Sequence, residues 1–169
     1  GWLMAPSDVQ AVLSYYALRL PEVRAIVPVG NAGGWSGCVL WRLADVAGKG
    51  YCLRRWPLEH PSEDRLRLIH PVLRIVADGL AVVASPISTR LGATFVRHEG
   101  HFWELTEWKP GEADYEQPPR AERLRAAMRV LARFHELSRR YETVTGRAPA
   151  IVDRLRRWQS LQSTGLKPL

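Results

Sequence analysis

Apolar positions along the first third of the chain follow two rhythms. Val9, Val12, Leu13 and Tyr16 recur at three- and four-residue spacing behind Ser7 and Asp8. This predicts a short amphipathic helix with a Ser7/Asp8 cap. The rhythm then shortens. RAIVPVG reads as a strand ending at Gly30, GCVLWRLAD is rich in strand formers, AGKG (47–50) is a hairpin turn signal, and YCLRRWP reads as the next strand. Residues 24–56 therefore predict strand, glycine loop, strand, turn, strand.

Pro57, Pro61 and PSED open a helix, with Ser62 as N-cap and Glu63 and Asp64 complementing the dipole in its first turn. Leu66, Ile69, Leu73 and Val76 fall on one face, Pro71 predicts a kink or a late start, and Gly79 ends the helix. AVVASPISTRLG reads as extended and turn-like. ATFVRHEGHFWELTEW predicts two strands about a tight turn at Glu99–Gly100, and KPGEADYEQPPR is a proline-rich loop. RAERLRAAMRVLARFHELSRRY carries Leu124, Ala127/Met128, Leu131 and Phe134/His135 at helical spacing. APAIVDRLRRWQSLQ reads as one more helix. The expected class is α+β: a five-stranded antiparallel sheet with one helix inserted after the third strand, followed by a connector and helices.

Composition narrows the class of protein. With 46% hydrophobic and 24% charged residues over 169 positions, the chain has the content of a globular protein of one domain or two small lobes. It has no run of about 18 apolar residues, so no membrane span is expected. GWLMAPSDVQ lacks the pattern of a signal peptide, and cytoplasm is the expected location. The first residue is Gly, as a removed segment or a fragment would leave it. Cys38 and Cys52 are too few for a disulfide framework and are expected as buried thiols. Charge is unevenly spread. Residues 1–118 hold 12 Arg/Lys against 13 Asp/Glu, whereas residues 119–169 hold 12 against 4. A basic last third fits a nucleic-acid surface, an acidic partner or a missing acidic half of the same protein.

The glycines of VGNAGGWSGCVLWRL are the first chemical signal. A dinucleotide loop is followed by a helix, and a Walker loop ends in Gly-Lys-Ser/Thr. Here a strand follows, and no such lysine is present. Strand–glycine loop–strand is the arrangement of protein-kinase-like folds, in which the loop closes over ATP phosphates. Glycines serve there because side chains would hold the backbone N–H groups away from phosphate oxygens. Alternation in YCLRRWP places Cys52 and Arg54 on one face and Leu53 and Arg55 on the other, so one of the two arginines faces the cleft.

GNAGGWSGCVLWRL, YCLRRWP, WELTEWKPG and the helix ending VLARFHEL, in this order and spacing, resemble the N-terminal part of the aminoglycoside phosphotransferase/choline-kinase-like family over about residues 20–140. The resemblance implies a protein-kinase-like N-lobe at 1–107, a hinge at 108–118, and at 119–169 the first helices of an incomplete helical C-lobe. It implies a phosphate flap of Gly33, Gly34, Trp35 and Ser36, and a phosphate-contacting cation at Arg54. It also implies hinge backbone groups at Glu107 and Trp108 that meet adenine, and His70 near the place of a helix carboxylate that pairs with the cation. Arg in place of Lys at 54 keeps its charge and binds phosphate bidentately, with different reach. Ile69 and His70 offer no acid at the pairing site. The implied cofactors are ATP and Mg²⁺. The catalytic Asp and the metal-binding Asn and Asp of the family belong to a C-terminal lobe, so no catalytic or metal-binding residue is assigned in this chain. The acceptor would be a small-molecule hydroxyl. Competing expectations are a catalytically inactive nucleotide-binding module and, as the weakest, a basic nucleic-acid binder.

Other residues have plainer readings. His135 is expected as a core histidine, His98 and His101 as strand-end residues, and Asp153 as a cap or surface residue. Trp41, Trp56, Trp103 and Trp108 are expected in the strand core. Trp35 either caps a bound nucleotide or packs under the flap. The apolar face of helix 120–140, with Leu124, Met128, Leu131 and Phe134, is expected to be partly uncovered and to favour self-association.

Overall fold

The computed structural model describes residues 6–17, 20–30, 36–111, 118, 120–141 and 155–160. Helix α1 (Ser7–Ser14) precedes strands β1 (Val23–Gly30), β2 (Val39–Asp45) and β3 (Gly50–Arg55). Helix α2 (Glu63–Gly79) follows, then β4 (Val96–His98), β5 (His101–Glu107) and α3 (Ala121–Ser138). Residues 155–160 are helical. The five strands form one antiparallel sheet in the order β1-β2-β3-β5-β4. This is the expected α+β architecture with a single helix inserted after the third strand. Among the described residues no helix is long and apolar enough to cross a membrane.

Alternation divides the sheet into two faces. Trp41, Leu43, Tyr51, Leu53, Trp103 and Leu105 point to one side, where Val9, Val12 and Tyr16 of α1 join them in the main core. Trp41 and Trp103 stack there with centroids 5.3 Å apart. Burial of each such side chain contributes about 1.5–3 kcal/mol. At the β5 side of the opposite face lies α2, where His70 reaches Glu104. Its buried residues are Leu66, His70 and Val76. Position 70, rather than the expected Ile69, completes the buried stripe, so the helix presents a polar ring to the sheet.

Turn chemistry holds the strands in register. Asp45 closes the β2–β3 connection: its Oδ1 accepts from the N–H groups of Ala47 and Lys49, each at 2.9 Å, and Tyr51 Oη donates to Oδ2 at 3.1 Å. At the β4–β5 turn, Glu99 and Gly100 both take positive φ, as a tight hairpin requires. β1 lies at the sheet edge, with Pro28 in it and register shifts between Val23 and Ala25 and between Pro28 and Gly30. Pro28 can sit there because an edge strand has one row of backbone groups outside the ladder.

Local expectations meet the structure at three helices. Ser7 and Asp8 do not cap α1. Pro6 occupies the N-cap position without a side-chain cap bond, and its fixed φ leads straight into a helix that already includes Ser7. Helix α2 has its expected N-cap: it begins at Glu63, with Ser62 accepting from the Arg65 N–H at 3.2 Å, and it continues through Pro71, so of the two outcomes expected of Pro71 a late start does not occur. Contacts at Leu66 and His70 before the proline, and at Val76 after it, hold both halves. Finally, α3 buries only Leu137 among its residues, and His135 is exposed rather than in a core. Leu137 packs against Gly79 at the end of α2, where a Cβ would lie 2.9 Å from Leu137 Cδ2.

Candidate functional site

The alternation of β3 separates its two arginines. Arg55 turns to the α1 face, where Nη1 lies 3.5 Å from Asp8 Oδ2. Its guanidinium sits 5.8 Å and 5.7 Å from the Trp41 and Trp103 ring centroids. Arg54 turns to the α2 face. It pairs across the ladder with Glu104 of β5, Nη1 to Oε1 at 2.6 Å. The second carboxylate oxygen, Oε2, is 2.8 Å from His70 Nε2, and His70 Nδ1 is 2.8 Å from Thr94 Oγ1. A carboxylate only accepts, so Nε2–H is the donor to Glu104; a neutral His70 then accepts the Thr94 hydroxyl at Nδ1.

Arg54 and His70 therefore meet through an intermediary. The resemblance implies His70 near the partner site of this cation, with no acid there. The structure supplies the acid from β5 and leaves the helix to contribute the histidine. Glu104 is buried, and burial by itself would raise its pKa. The His70 hydrogen bond and the Arg54 charge outweigh that and hold the carboxyl below the ordinary glutamate range. Arg54 keeps over a third of its side chain exposed, with the guanidinium 5.2 Å from the Trp56 ring centroid. It is anchored at one nitrogen, lies against Trp56 and stays partly exposed, which leaves it able to meet an anion.

Across the same face, Val27, Arg42, Cys52 and Thr106 form a transverse row in register over β1, β2, β3 and β5. Burial pushes the Cys52 thiol up despite the charge of nearby Arg54, so it stays protonated at neutral pH. Trp108 lies against Gly50 just beyond this row, with the Arg42 guanidinium 4.7 Å from its ring centroid.

Of the four expected flap residues, Gly33, Gly34 and Trp35 lie outside the described residues, and Ser36 is exposed in a turn. Gly30 and Gly37, on either side of positions 31–36, have φ of +69° and +68°. Only glycine adopts this conformation readily, so both margins of the segment turn where side chains would resist.

The hinge reading needs one correction. Trp108 N–H does not point outward: it donates to the Gly50 carbonyl at 3.0 Å, continuing the β3–β5 ladder. Successive backbone groups alternate sides, so those of Glu107, the last residue of β5, face away from β3. The Glu107 carboxylate is 2.6 Å from Lys49 Nζ and 3.8 Å from Lys109 Nζ. The Lys49 hydrogen bond holds its pKa below the usual range. A cavity of about 500 Å³ lies on the other side of this segment, lined by Arg74, Asp78, Ser85, Ile87, Glu107 and Lys109, and does not include Arg54. His98 and His101 flank the β4–β5 turn half-buried, and His101 Nδ1 lies 2.7 Å from the Trp56 carbonyl oxygen. Among the described residues no group of three His, Cys, Asp or Glu side chains is placed to hold a metal ion, and Asp153 lies outside them.

Comparison with known proteins gives a consistent picture. The model of the phosphotransferase enzyme family (APH) matches residues 29–167. Among solved structures, the chain is similar to an aminoglycoside phosphotransferase from Alicyclobacillus acidocaldarius subsp. acidocaldarius DSM 446, with a TM-score of 0.62 and 24% identity. The match covers 95% of this chain and 43% of that one, so the chain spans less than half the length of the protein it resembles in fold. No curated protein matches.

Proposed function

Because the chain belongs to the phosphotransferase enzyme family, we propose that it is the ATP-binding lobe of a small-molecule kinase, which transfers a phosphoryl group from ATP to a substrate hydroxyl. The observation that carries this reading is Arg54: a cation in the third strand of a sheet with N-lobe strand order, anchored at one nitrogen and partly exposed. Residues 1–107 would form the nucleotide lobe, 108–118 the hinge, and 119–169 the start of a helical lobe.

In this reading the segment holding Gly33, Gly34, Trp35 and Ser36 closes over the phosphates, and Arg54 receives them. The Val27–Arg42–Cys52–Thr106 row covers the base. With the Trp108 N–H engaged by Gly50, the hinge groups that meet adenine become the Glu107 carbonyl and the Lys109 N–H. Mg²⁺ would neutralise phosphate charge during transfer. The described residues include no acidic cluster suited to it, so no step is assigned to the ion here.

Titration of a fluorescent ATP analogue against the wild type and Arg54→Ala tests the reading. Loss of a charge-assisted contact of about 1.5–3 kcal/mol corresponds to a roughly 10- to 100-fold weaker affinity. Equal affinities would remove Arg54 from the nucleotide site, and absence of saturable binding by the wild type would remove the nucleotide reading.

A further inference from the structure

We propose that Glu104 is a positioning residue for Arg54, and that His70 and Thr94 hold Glu104 in turn, so that this lobe aims its phosphate-binding cation from the sheet rather than from the helix. The inference rests on the nucleotide reading above and specifies how its cation is set.

Arg54 is a long side chain, and without a partner it would sample many rotamers before meeting an anion. A carboxylate directly opposite on the neighbouring strand takes one end of the guanidinium, Nη1, at 2.6 Å. The remaining N–H groups stay in the plane of the fork and available to phosphate oxygens. Glu104 is itself held: His70 Nε2–H fixes Oε2 at 2.8 Å, and Thr94 Oγ1 sits 2.8 Å from His70 Nδ1. Glu104 and His70 are both nearly inaccessible to solvent, at 5% and 1% exposure, so neither exchanges its partner for water at low cost. The chain of contacts links β3, β5, α2 and the segment before β4. Movement of α2 would therefore reach Arg54 through a histidine and an intervening glutamate.

The test measures the ratio of ATP affinity to adenosine affinity in the 169-residue chain, since adenosine lacks the phosphates that Arg54 receives. Isosteric Glu104→Gln should lower the ratio about three- to tenfold, the cost of immobilising one long side chain on binding. It should leave adenosine affinity unchanged, and it should have no effect on the ratio in an Arg54→Ala background. His70→Leu should lower the ratio as well, and His70→Gln, whose amide can donate to Glu104 from a similar position, should restore most of the loss. A rise in the ratio for Glu104→Gln would overturn the proposal, because Glu104 would then only mask the charge of Arg54. An unchanged ratio with Arg54→Ala still impaired would overturn it while sparing the nucleotide reading. An unchanged ratio in Arg54→Ala would overturn it too, by removing Arg54 from the nucleotide site, whereas absence of saturable ATP binding by the wild type would overturn the nucleotide reading itself.

Discussion

Arg55 and Asp8 join strand β3 to helix α1, Nη1 to Oδ2 at 3.5 Å, on the face of the sheet opposite the neighbouring Arg54. Two adjacent arginines thus answer to different parts of the molecule. Arg55→Ala removes an ion pair and a cation lying against two stacked, buried tryptophans. It should lower unfolding stability by about 1–2 kcal/mol, mostly through the aromatic contacts. Asp8→Asn should cost under about 1 kcal/mol, because the pair is partly exposed. Neither should change the ATP-to-adenosine affinity ratio. Chemical denaturation and nucleotide titration of the same variants check this, and a lowered ratio for Arg55→Ala would reverse the assignment of the two faces.

Acid sensitivity should be traceable to Glu104. Its folded pKa lies below the ordinary glutamate value because the His70 bond and the Arg54 charge favour the anion over the opposing effect of burial. A depressed folded pKa stabilises the fold above the unfolded pKa of about 4.3, and that contribution fades as pH falls through the folded pKa. Urea midpoints measured from pH 7 to pH 3 should therefore drop for the wild type below about pH 4.3. Glu104→Gln should be less stable by about 1–3 kcal/mol at pH 7 and should show a flatter decline in acid. Parallel curves would place the acid sensitivity elsewhere.

Leu137 anchors α3 to α2 against Gly79, and it is the buried residue of its helix. Leu137→Ala should release α3 at a cost of about 2–4 kcal/mol to its local opening free energy. Amide exchange should accelerate over 121–138 while β2, β3 and β5 keep their protection. Uniform acceleration across the sheet would show that α3 supports the whole fold.

Leu124, Met128 and Leu131 are 64%, 55% and 44% exposed along α3. Such an apolar face is expected to associate with another copy at high concentration. Sedimentation should show a concentration-dependent rise in mass that Met128→Glu suppresses without loss of helix content. A monomer across the concentration range would argue against self-association through this face.

The hairpins were legible because their signals are local. Alternating strand formers on either side of AGKG and Glu99–Gly100 leave little choice of partner, and Ser62 with Glu63 and Asp64 marks the start of α2 directly. Glu104 was illegible for the opposite reason. Its role depends on β3 pairing with β5, which brings together residues 50 positions apart around an intervening helix. Read alone, WELTEW offers a polar residue in an apolar strand without saying what lies across from it. His70 and Ile69 differ by one step of about 100° around a helix, and only the docking of α2 on the sheet decides which is buried. Trp108 shows the same limit at the backbone level: the direction of its N–H follows from how far the ladder with Gly50 extends, which WELTEWKPG does not state.

The edge strand has a consequence for the chain's behaviour in solution. β1 presents one row of backbone donors and acceptors beyond the ladder, the kind of border on which a foreign strand can template. Pro28 removes one N–H from the strand, and the two register shifts bend it away from a flat edge. The sheet is thus discouraged from growing outward past β1. Replacing Pro28 with Val would restore a continuous border, and fibrillar or edge-paired aggregates would be the expected cost.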